Sequence, residues 1–298
     1  MSLPSPLPEE RFGFIGLGSM GAPMAKNLSN AVSMLRVFDI AGTDERAPEG
    51  TVCCHSLEEI IGSCDTIFLS LPDGKSVIQT AQEMVLIEEH SCNTLVDTST
   101  IGVDAVKHVE PIVEKAKIVY LDCPVSGGQS GAQAGTLTFM GSGSESRFRQ
   151  LDEILQSMAA NIFYVGNRCG QGQAMKLLNN FLSGTAMLAT SEAYAFGMSQ
   201  ELDPQQMFEV LNVSTGVNSA TLDKFPKQVV TNRYAAGFSN TMMSKDISLF
   251  RESVLKAQTL SPVGEIVQEY WEQFSELEPL KDFTQIYPFL KKKHRNKE

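Results

Sequence analysis

A lysine that could transfer a proton lies in an apolar helical segment near the middle of the chain. Lys176 and Asn180 are four residues apart, so they share one helix face with Ser183 and Gly184. A charged amine is costly to bury unless the protein needs it there, so a functional lysine is one interpretation of this face. The alternative is a solvated lysine on an exposed stripe. Most other positions are apolar, which is typical of a helix buried nearly all round: Met175, Leu177, Leu178, Phe181, Leu182, Ala186 and Leu188.

A glycine-rich turn forms a second candidate site, suited to the phosphates of a dinucleotide. It follows an apolar run, residues 11–16, that predicts a buried strand, and it precedes a helical stretch. Gly16 would permit the tight turn, Gly18 would let the backbone approach a pyrophosphate, and Gly21 would let the helix pack on the strand. Free N–H groups at the start of the helix would face the phosphates. The whole turn is therefore predicted to bind the cofactor: Gly16, Leu17, Gly18, Ser19, Met20 and Gly21.

Asp39 predicts which dinucleotide binds. It ends a second predicted strand, residues 34–38, and lies 23 residues after Gly16, near the interval of about 20 residues expected for a ribose-binding carboxylate. A carboxylate at this position accepts hydrogen bonds from ribose hydroxyls and repels a 2′-phosphate. No arginine occurs in residues 40–43 of the sequence. These features predict NAD as the cofactor rather than NADP.

A third candidate site is a cluster of hydrogen-bond donors in the segment Asp122–Gly128. Gly127 and Gly128 leave their backbone N–H groups unshielded, and the Ser126 hydroxyl adds a further donor. Such a concave set of donors is suited to a carboxylate, which predicts an acidic substrate. The alternative for these residues is a glycine-rich turn between two strands.

Together these segments resemble the 3-hydroxyisobutyrate dehydrogenase-like (beta-hydroxyacid dehydrogenase) family. The stretch GQGQAMKLLNN, residues 170–180, is similar to the family pattern GxGxxxKxxNN, and DCPVSGG followed by AQAGTL is similar to the family's substrate loop. The resemblance covers about residues 11–289. It implies an enzyme that passes hydride between NAD and a small 3-hydroxy acid to give the semialdehyde. Lys176 would be the acid or base, Asn180 its helper, and Ser126, Gly127 and Gly128 the carboxylate site.

The resemblance also implies further cofactor contacts. Leu71 and Pro72 belong to one loop that would line the cofactor, and Thr100 belongs to a second loop beside the nicotinamide ribose. Lys245, in a Lys-Asp pair expected at the start of a helix, would reach the cofactor end of the cleft. Ordinary turn chemistry and a solvated charge are the alternatives for these positions. Cys123 has no adjacent histidine, so we expect it to replace a small residue rather than to act as a nucleophile.

Alternating strands and helices in the first half predict an α/β fold. Further predicted strands, at residues 66–71, 94–97 and 118–122, indicate an N-terminal Rossmann-type doubly wound parallel sheet, followed by an all-α C-terminal domain. The Lys176 helix is expected to begin near Ala174 and to end near Gly197 or Gln200. Long apolar helices outside such a core often pair across a twofold axis, which predicts a homodimer or homotetramer. The predicted divisions are an N-terminal arm (1–10), a dinucleotide-binding domain (11–173), a helical substrate and dimerisation domain (174–290) and a basic tail (291–298).

Composition excludes several other classes of protein. A net charge of −11 argues against nucleic acid as a partner, and no apolar run approaches the roughly 20 residues of a membrane span. Six cysteines and four histidines form no ligand-like group, so neither a metal site nor a disulfide framework is predicted. The N-terminus carries acid and proline instead of a targeting signal, which predicts the cytoplasm rather than the mitochondrial matrix. The basic tail is expected to be a frayed, solvated end.

Two other functions stay open from the sequence. One is an NADPH-dependent semialdehyde or imine reductase of the same family, which the carboxylate of Asp39 argues against. The other is a non-catalytic NAD-binding scaffold, which the presence of Lys176, Asn180 and the Ser126 loop argues against. The loop of residues 212–219, expected to touch the variable end of the substrate, has no aromatic residue and leaves the acid unidentified.

Overall fold

A computed structural model describes residues 10–88 and 90–295, and the chain divides into two compact units, residues 1–176 and 177–298. Except for Glu10, the predicted N-terminal arm lies outside the described residues, and so do the last three residues of the predicted basic tail. No described helix is both long and apolar enough to cross a bilayer.

The first unit is built on a mostly parallel sheet, to which nine strands of the described chain contribute. The strand order is β3-β2-β1-β4-β5-β6-β8-β7, with β9 paired to β8. Strands β1 to β6 pair in parallel, which confirms the predicted Rossmann-type sheet. Strand β8 runs antiparallel to β6 and β7, an extension the sequence did not predict. The strands are β1 (Phe12–Ile15), β2 (Leu35–Phe38), β3 (Val52–Cys53), β4 (Thr66–Leu69), β5 (Thr94–Asp97), β6 (Val119–Asp122), β7 (Val125–Ser126), β8 (Leu137–Gly143) and β9 (Ala159–Gly166).

Helices cover both faces of this sheet, so its strands are apolar on both sides. In β4 the side chain of Phe68 enters one hydrophobic core, whereas Ile67 and Leu69 enter the other, as expected from the period-two alternation of a strand. Ser56 and Asp73 cap two of the helices by accepting backbone N–H bonds at 3.2 and 2.8 Å. The helices are α1 (Gly21–Ser29), α2 (Leu57–Ser63), α3 (Gly74–Met84), α4 (Val103–Lys115), α5 (Gly128–Ala134), α6 (Glu145–Gln150) and α7 (Asp152–Gln156).

The second unit is helical, as predicted. Asp203 caps α9 by accepting the N–H of Gln206 at 2.9 Å, and Pro204 occupies the first turn. Trp271, Phe274 and Phe225 are fully buried members of the core of this unit. Its helices are α8 (Gln171–Ser199, which begins in the first unit), α9 (Pro204–Asn212), a π-helix (Ala220–Val229), α10 (Asn240–Lys256), α11 (Pro262–Leu277), a 3₁₀ turn (Phe283–Gln285) and α12 (Ile286–Arg295).

Helix α8 differs from the prediction in its start and in its burial. It begins three residues before Ala174 because acceptors elsewhere in the fold, which the sequence does not reveal, satisfy its first N–H groups. The prediction that it is buried nearly all round is wrong. Leu177 is 1% exposed, but three other apolar side chains are 42%, 48% and 65% exposed: Met175, Leu178 and Leu182.

Two further helix boundaries differ from those predicted from the sequence. Helix α10 begins at Asn240, where Ser239 accepts the N–H of Met242 at 3.2 Å, so Lys245 and its neighbour lie in the second turn rather than at the start. Helix α12 continues to Arg295, so residues 291–295 are helical rather than frayed. Basic side chains in the last turn favour such a helix because they oppose the partial negative charge at its end.

Candidate active site

The glycine-rich turn between β1 and α1 has the geometry that a dinucleotide requires. A Cβ on Gly16, whose φ is +93°, would meet the Ser70 carbonyl oxygen at 2.3 Å, and a Cβ on Gly21 would meet the Gly16 carbonyl oxygen at 1.8 Å. A Cβ on Gly18 would have no neighbour within 4 Å. The first and third glycines are therefore needed by the fold itself, whereas Gly18 faces open space. Helix α1 has no side-chain cap hydrogen bond at Met20, and a helix N-terminus of this kind is suited to an anion.

Asp39 is held against this turn. Its Oδ2 accepts the N–H of Leu17 at 2.6 Å, and its Oδ1 accepts the N–H of Ala41 at 2.8 Å. The side chain lines an open cavity of about 450 Å³, formed by residues 38–45 and His55. The Arg46 Nε lies 3.9 Å from the Asp39 Oδ1. This guanidinium was not predicted from the sequence, because Arg46 lies beyond residues 40–43.

The two loops predicted to line the cofactor leave adjacent strand ends and are bonded to each other. The N–H of Leu71 donates to the Ser99 Oγ at 2.8 Å, which joins the loop after β4 to the loop that carries Thr100. Asp97 supports the second loop by accepting the N–H of Ser99 at 2.9 Å and the hydroxyl of Tyr120 at 2.8 Å. Burial raises the pKa of Asp97 to about 6, because its carboxylate is removed from water.

The predicted carboxylate site lies where β7 passes into α5. Ser126 is the last residue of β7, and Gly127 and Gly128 have φ angles of +130° and +64° that favour glycine. A side chain at Gly127 would also meet the Leu137 Cδ2 at 3.0 Å. The segment leads into a helix, so the alternative of a turn between two strands is wrong. The N–H groups of both glycines lie at the helix start, where backbone donors are not used within the helix.

Lys176 is buried, with 8% of its surface exposed, so it does not lie on a solvated stripe. Its helix is anchored at the end of β6, where the Asp122 Oδ2 accepts the N–H groups of Gly170 at 2.9 Å and Gln173 at 3.0 Å. The Ser142 hydroxyl accepts the N–H of Gly172 at 3.0 Å. These bonds set the position of the first turn of α8, and Lys176 lies in the next turn.

Asn180 and Lys245 belong to the second unit. Asn180 is 5% exposed, and its Nδ2 donates to the Oδ2 of the buried Asp246 at 2.6 Å. The Lys245 Nζ lies 3.5 Å from the other oxygen of the same carboxylate. Asp246 and Gln173 were not among the predicted site residues. The signals available were the Lys-Asp pair itself and the position of Gln173 three residues before Lys176, on the same helix face.

The cysteines show no sign of catalytic chemistry. Burial, followed by the charge of Asp122, raises the pKa of Cys123 well above its ordinary value, so its thiol stays protonated and is a poor nucleophile. Burial raises the pKa of Cys54 to about 12 and that of Cys64 to about 11. No described group of three or more His, Cys, Asp or Glu side chains could hold a metal ion.

Similarity to known proteins covers nearly the whole chain. Residues 11–166 match the family described as the NAD-binding domain of 6-phosphogluconate dehydrogenase. Residues 170–290 match the family described as the NAD-binding region of NADP-dependent 3-hydroxyisobutyrate dehydrogenase.

Individual relatives carry the name of the second of these families. The mitochondrial 3-hydroxyisobutyrate dehydrogenase of Mus musculus is 33% identical over 290 residues, which span 94% of this chain and 86% of the relative. A probable 3-hydroxyisobutyrate dehydrogenase of Mycobacterium tuberculosis is 32% identical over 286 residues, which span 93% and 97%. The solved structure of Mycobacterium tuberculosis 3-hydroxyisobutyrate dehydrogenase with L-serine superimposes with a TM-score of 0.86, at 30% identity, over 94% of this chain and 99% of that one.

Proposed function

This chain belongs to the 3-hydroxyisobutyrate dehydrogenase family, and we propose that it oxidises a small 3-hydroxy carboxylic acid to the semialdehyde with NAD as hydride acceptor. The names of its relatives support this substrate class. The observation that carries the proposal is the burial of Lys176 on a helix anchored at the end of β6. A buried amine in that position is suited to moving a proton rather than to solvating the surface.

In the proposed reaction, each group of residues has a separate role. The cofactor, held by the turn from Gly16 to Gly21 and by Asp39, would supply the hydride acceptor for oxidation and the hydride donor for reduction. The Ser126 hydroxyl and the N–H groups of Gly127 and Gly128 hold the substrate carboxylate. The Lys176 Nζ accepts the proton of the substrate hydroxyl as a neutral amine, and as an ammonium it donates that proton in the reverse direction. Asn180, one turn further along α8, positions Lys176 or the carbon that bears the hydroxyl.

The turn from Gly16 to Gly21 is assigned to the pyrophosphate, because the open space at Gly18 accommodates a phosphate without displacing any side chain. Asp39 is assigned to the adenosine ribose, which favours NAD. Leu71, Pro72 and Thr100 line the rest of the cofactor, and Lys245 reaches its nicotinamide end. Residues 11–173 then bind the dinucleotide, and residues 174–290 form the substrate and dimerisation domain.

The exposed apolar side chains of α8 support a homodimer or homotetramer. Met175, Leu178 and Leu182 follow one another at three- and four-residue spacing, so they form one stripe on the helix. Burial of that stripe against a second copy would remove apolar surface from water. The cytoplasmic location stays a prediction; the Mus musculus relative is described as mitochondrial.

A second candidate function is an NADPH-dependent reductase of semialdehydes or imines. The observation that favours it is Arg46, whose guanidinium beside Asp39 could pair with a 2′-phosphate. The carboxylate of Asp39 opposes it.

One assay separates these functions. The purified chain is supplied with NAD or NADP and 3-hydroxyisobutyrate, 3-hydroxypropionate or glycerate, and in the reverse direction with NADH or NADPH and a semialdehyde or an imine. Reduction or oxidation of the cofactor is measured by absorbance. We expect reduction of NAD with at least one acid. Reduction of semialdehydes or imines by NADPH, without oxidation of any acid, would favour the second candidate. Cofactor binding without turnover in either direction would favour the non-catalytic scaffold.

A further inference from the structure

We propose that Gln173 is a positioning residue, whose carboxamide ties the loop of residues 99–102 to the first turn of α8 and so fixes Lys176 relative to the cofactor-lining loop. This inference rests on the proposed function, because it takes Lys176 as the proton-transfer group and Thr100 as a neighbour of the cofactor. We call this set of hydrogen bonds from the Gln173 side chain the tie, and all of its residues lie in the first unit of the chain.

Gln173 uses the full hydrogen-bonding capacity of its side chain. The Oε1 accepts the N–H of Ile101 at 2.9 Å and the N–H of Gly102 at 3.0 Å. The Nε2 donates to the Ser99 carbonyl oxygen at 3.0 Å and to the Asp122 Oδ1 at 2.8 Å. A carboxamide has two donor hydrogens and two acceptor lone pairs, so none is left for solvent. Gln173 itself is fully buried.

The orientation of this carboxamide is fixed by the groups around it. Two backbone N–H groups can only donate, and a backbone carbonyl and a carboxylate oxygen accept. A flipped amide would place two acceptors or two donors face to face in a buried site, which costs free energy. Gln173 therefore fixes the backbone of residues 99–102 through three groups, which are the Ser99 carbonyl and the N–H groups of Ile101 and Gly102.

The two segments joined by Gln173 are those with proposed chemical roles. Thr100 lies between Ser99 and Ile101, both of which Gln173 holds. Lys176 lies three residues after Gln173 on the same helix face, about 4.5 Å along the axis. Displacement of a reacting group by about 1 Å is enough to lower a rate by roughly two orders of magnitude. The tie thus connects cofactor orientation to the position of the proton-transfer amine.

Asp122 is the second anchor of this tie. Its Oδ1 accepts from the Gln173 side chain, and its Oδ2 accepts from the Ser142 hydroxyl at 3.0 Å as well as from two backbone N–H groups of the α8 start. The Asp122 carboxylate accepts hydrogen bonds from both the backbone N–H and the side-chain amide of Gln173. The start of α8 and the Gln173 side chain therefore cannot move independently. Asp97, which supports the same loop from β5, is the other carboxylate close to Asp122.

The test compares Gln173→Leu, which removes all four bonds, with Arg147→Gln as a matched control. Arg147 is a partly buried polar hub of the first unit, and it donates to Thr94 at 2.8 Å and to Thr66 at 2.6 Å. Those threonines start β5 and β4, at the strand ends opposite the cofactor-lining loops. Both variants should lose stability, so stability alone does not distinguish positioning from packing.

We expect only Gln173→Leu to change the chemistry. Its amides at residues 101 and 102 should exchange with deuterium about tenfold faster in the absence of cofactor, because they lose their acceptor. Its kcat should fall at least about tenfold, with KM for the acid and Kd for NADH within about threefold of the wild type. A kcat within about twofold of the wild type in the folded variant, or unchanged exchange at residues 101 and 102, would overturn the inference.

Gln173→Glu provides a second readout, a pH dependence of kcat, which a purely structural role of Gln173 would not produce. It also replaces Gln173→Leu if that variant does not fold. The carboxylate can still accept two N–H bonds, but it cannot donate, and it faces the negative charge of Asp122, near which Asp97 also lies. Its protonated form can donate one hydrogen bond. The ratio of variant to wild-type kcat should therefore rise as the pH is lowered, and a flat ratio would contradict the tie. If the wild-type protein oxidises no 3-hydroxy acid, the proposed function fails, and the exchange measurement still decides whether the tie exists.

Discussion

The Asn180 carboxamide donates from Nδ2 to the Asp246 Oδ2 at 2.6 Å, so a buried carboxylate determines which way the amide of the proposed helper residue faces. Asp246 is 1% exposed, and Lys245 lies 3.5 Å from its second oxygen. The Asn180 Oδ1 accepts from the Asn179 Nδ2 at 3.0 Å. The Lys-Asp pair of α10 therefore does more than supply a charge at a helix surface, because its aspartate orients an asparagine of α8.

Loss of the Asp246 carboxylate should lower kcat and leave the affinity for the cofactor nearly unchanged. In Asp246→Leu the Asn180 amide loses its acceptor and can rotate, so we expect kcat to fall about tenfold with Kd for NADH within about threefold. Asp203→Ala is the control, because Asp203 caps α9 and should cost only about 1 kcal/mol of unfolding free energy without a change in kcat. Equal effects of the two variants on kcat would contradict an orienting role for Asp246.

The open space at Gly18 predicts a variant that folds but binds cofactor poorly. In Gly18→Ala the added methyl group meets no atom within 4 Å, so the unfolding free energy should stay close to that of the wild type. The methyl group would occupy space needed by the pyrophosphate, so Kd for NADH should rise at least about tenfold. Gly21→Ala is the contrast: its methyl group would meet the Gly16 carbonyl oxygen at 1.8 Å, so it should destabilise the fold itself. Titration of NADH fluorescence and urea unfolding measure both effects.

Asp39 and Arg46 together predict how the cofactor preference can be changed. In Asp39→Asn the negative charge that repels a 2′-phosphate is removed, while one oxygen remains to accept the N–H of Leu17. The ratio of kcat/KM for NAD to that for NADP should fall at least about tenfold. Addition of Arg46→Ala should reverse part of the gain in NADP use, because the guanidinium near position 39 is lost. An unchanged ratio in Asp39→Asn would remove Asp39 from the cofactor site.

Burial of Asp97 predicts a stability that decreases as the pH rises. Its pKa is about 6 in the folded protein, against an ordinary value of 3.8, so between these values the folded state binds more protons than the unfolded state. The unfolding free energy should therefore fall between about pH 4 and pH 6, by about 3 kcal/mol from this group. Asp97→Asn cannot titrate and should lack this part of the decrease. Parallel pH dependences of the two proteins in urea unfolding would contradict the assignment.

The sequence predicted the elements of the fold better than the contacts that arrange them. The roles of Gly16, Gly21 and Asp39 could be predicted from the sequence. The local backbone requires glycine at the first two positions, and the spacing from the turn identifies the carboxylate. The hydrogen-bond partners of Asp122 and Gln173 could not be predicted, because these bonds join residues about 50 to 70 positions apart. The start of α8 was misplaced for the same reason, since its caps come from β6 and β8. Apolar periodicity also overstated the burial of α8, because it does not distinguish a face packed in the core from an exposed apolar face.

The most direct test of the account is the turnover of Lys176→Ala measured together with its affinity for NADH. We expect turnover of the best 3-hydroxy acid to fall by about 1,000-fold or more, because the group that moves the hydroxyl proton is absent, while Kd for NADH stays within about threefold. Lys107→Ala, which removes an exposed lysine of α4, should leave both quantities unchanged. Turnover of Lys176→Ala within about tenfold of the wild type would contradict the assignment of this buried amine as the group that carries the proton.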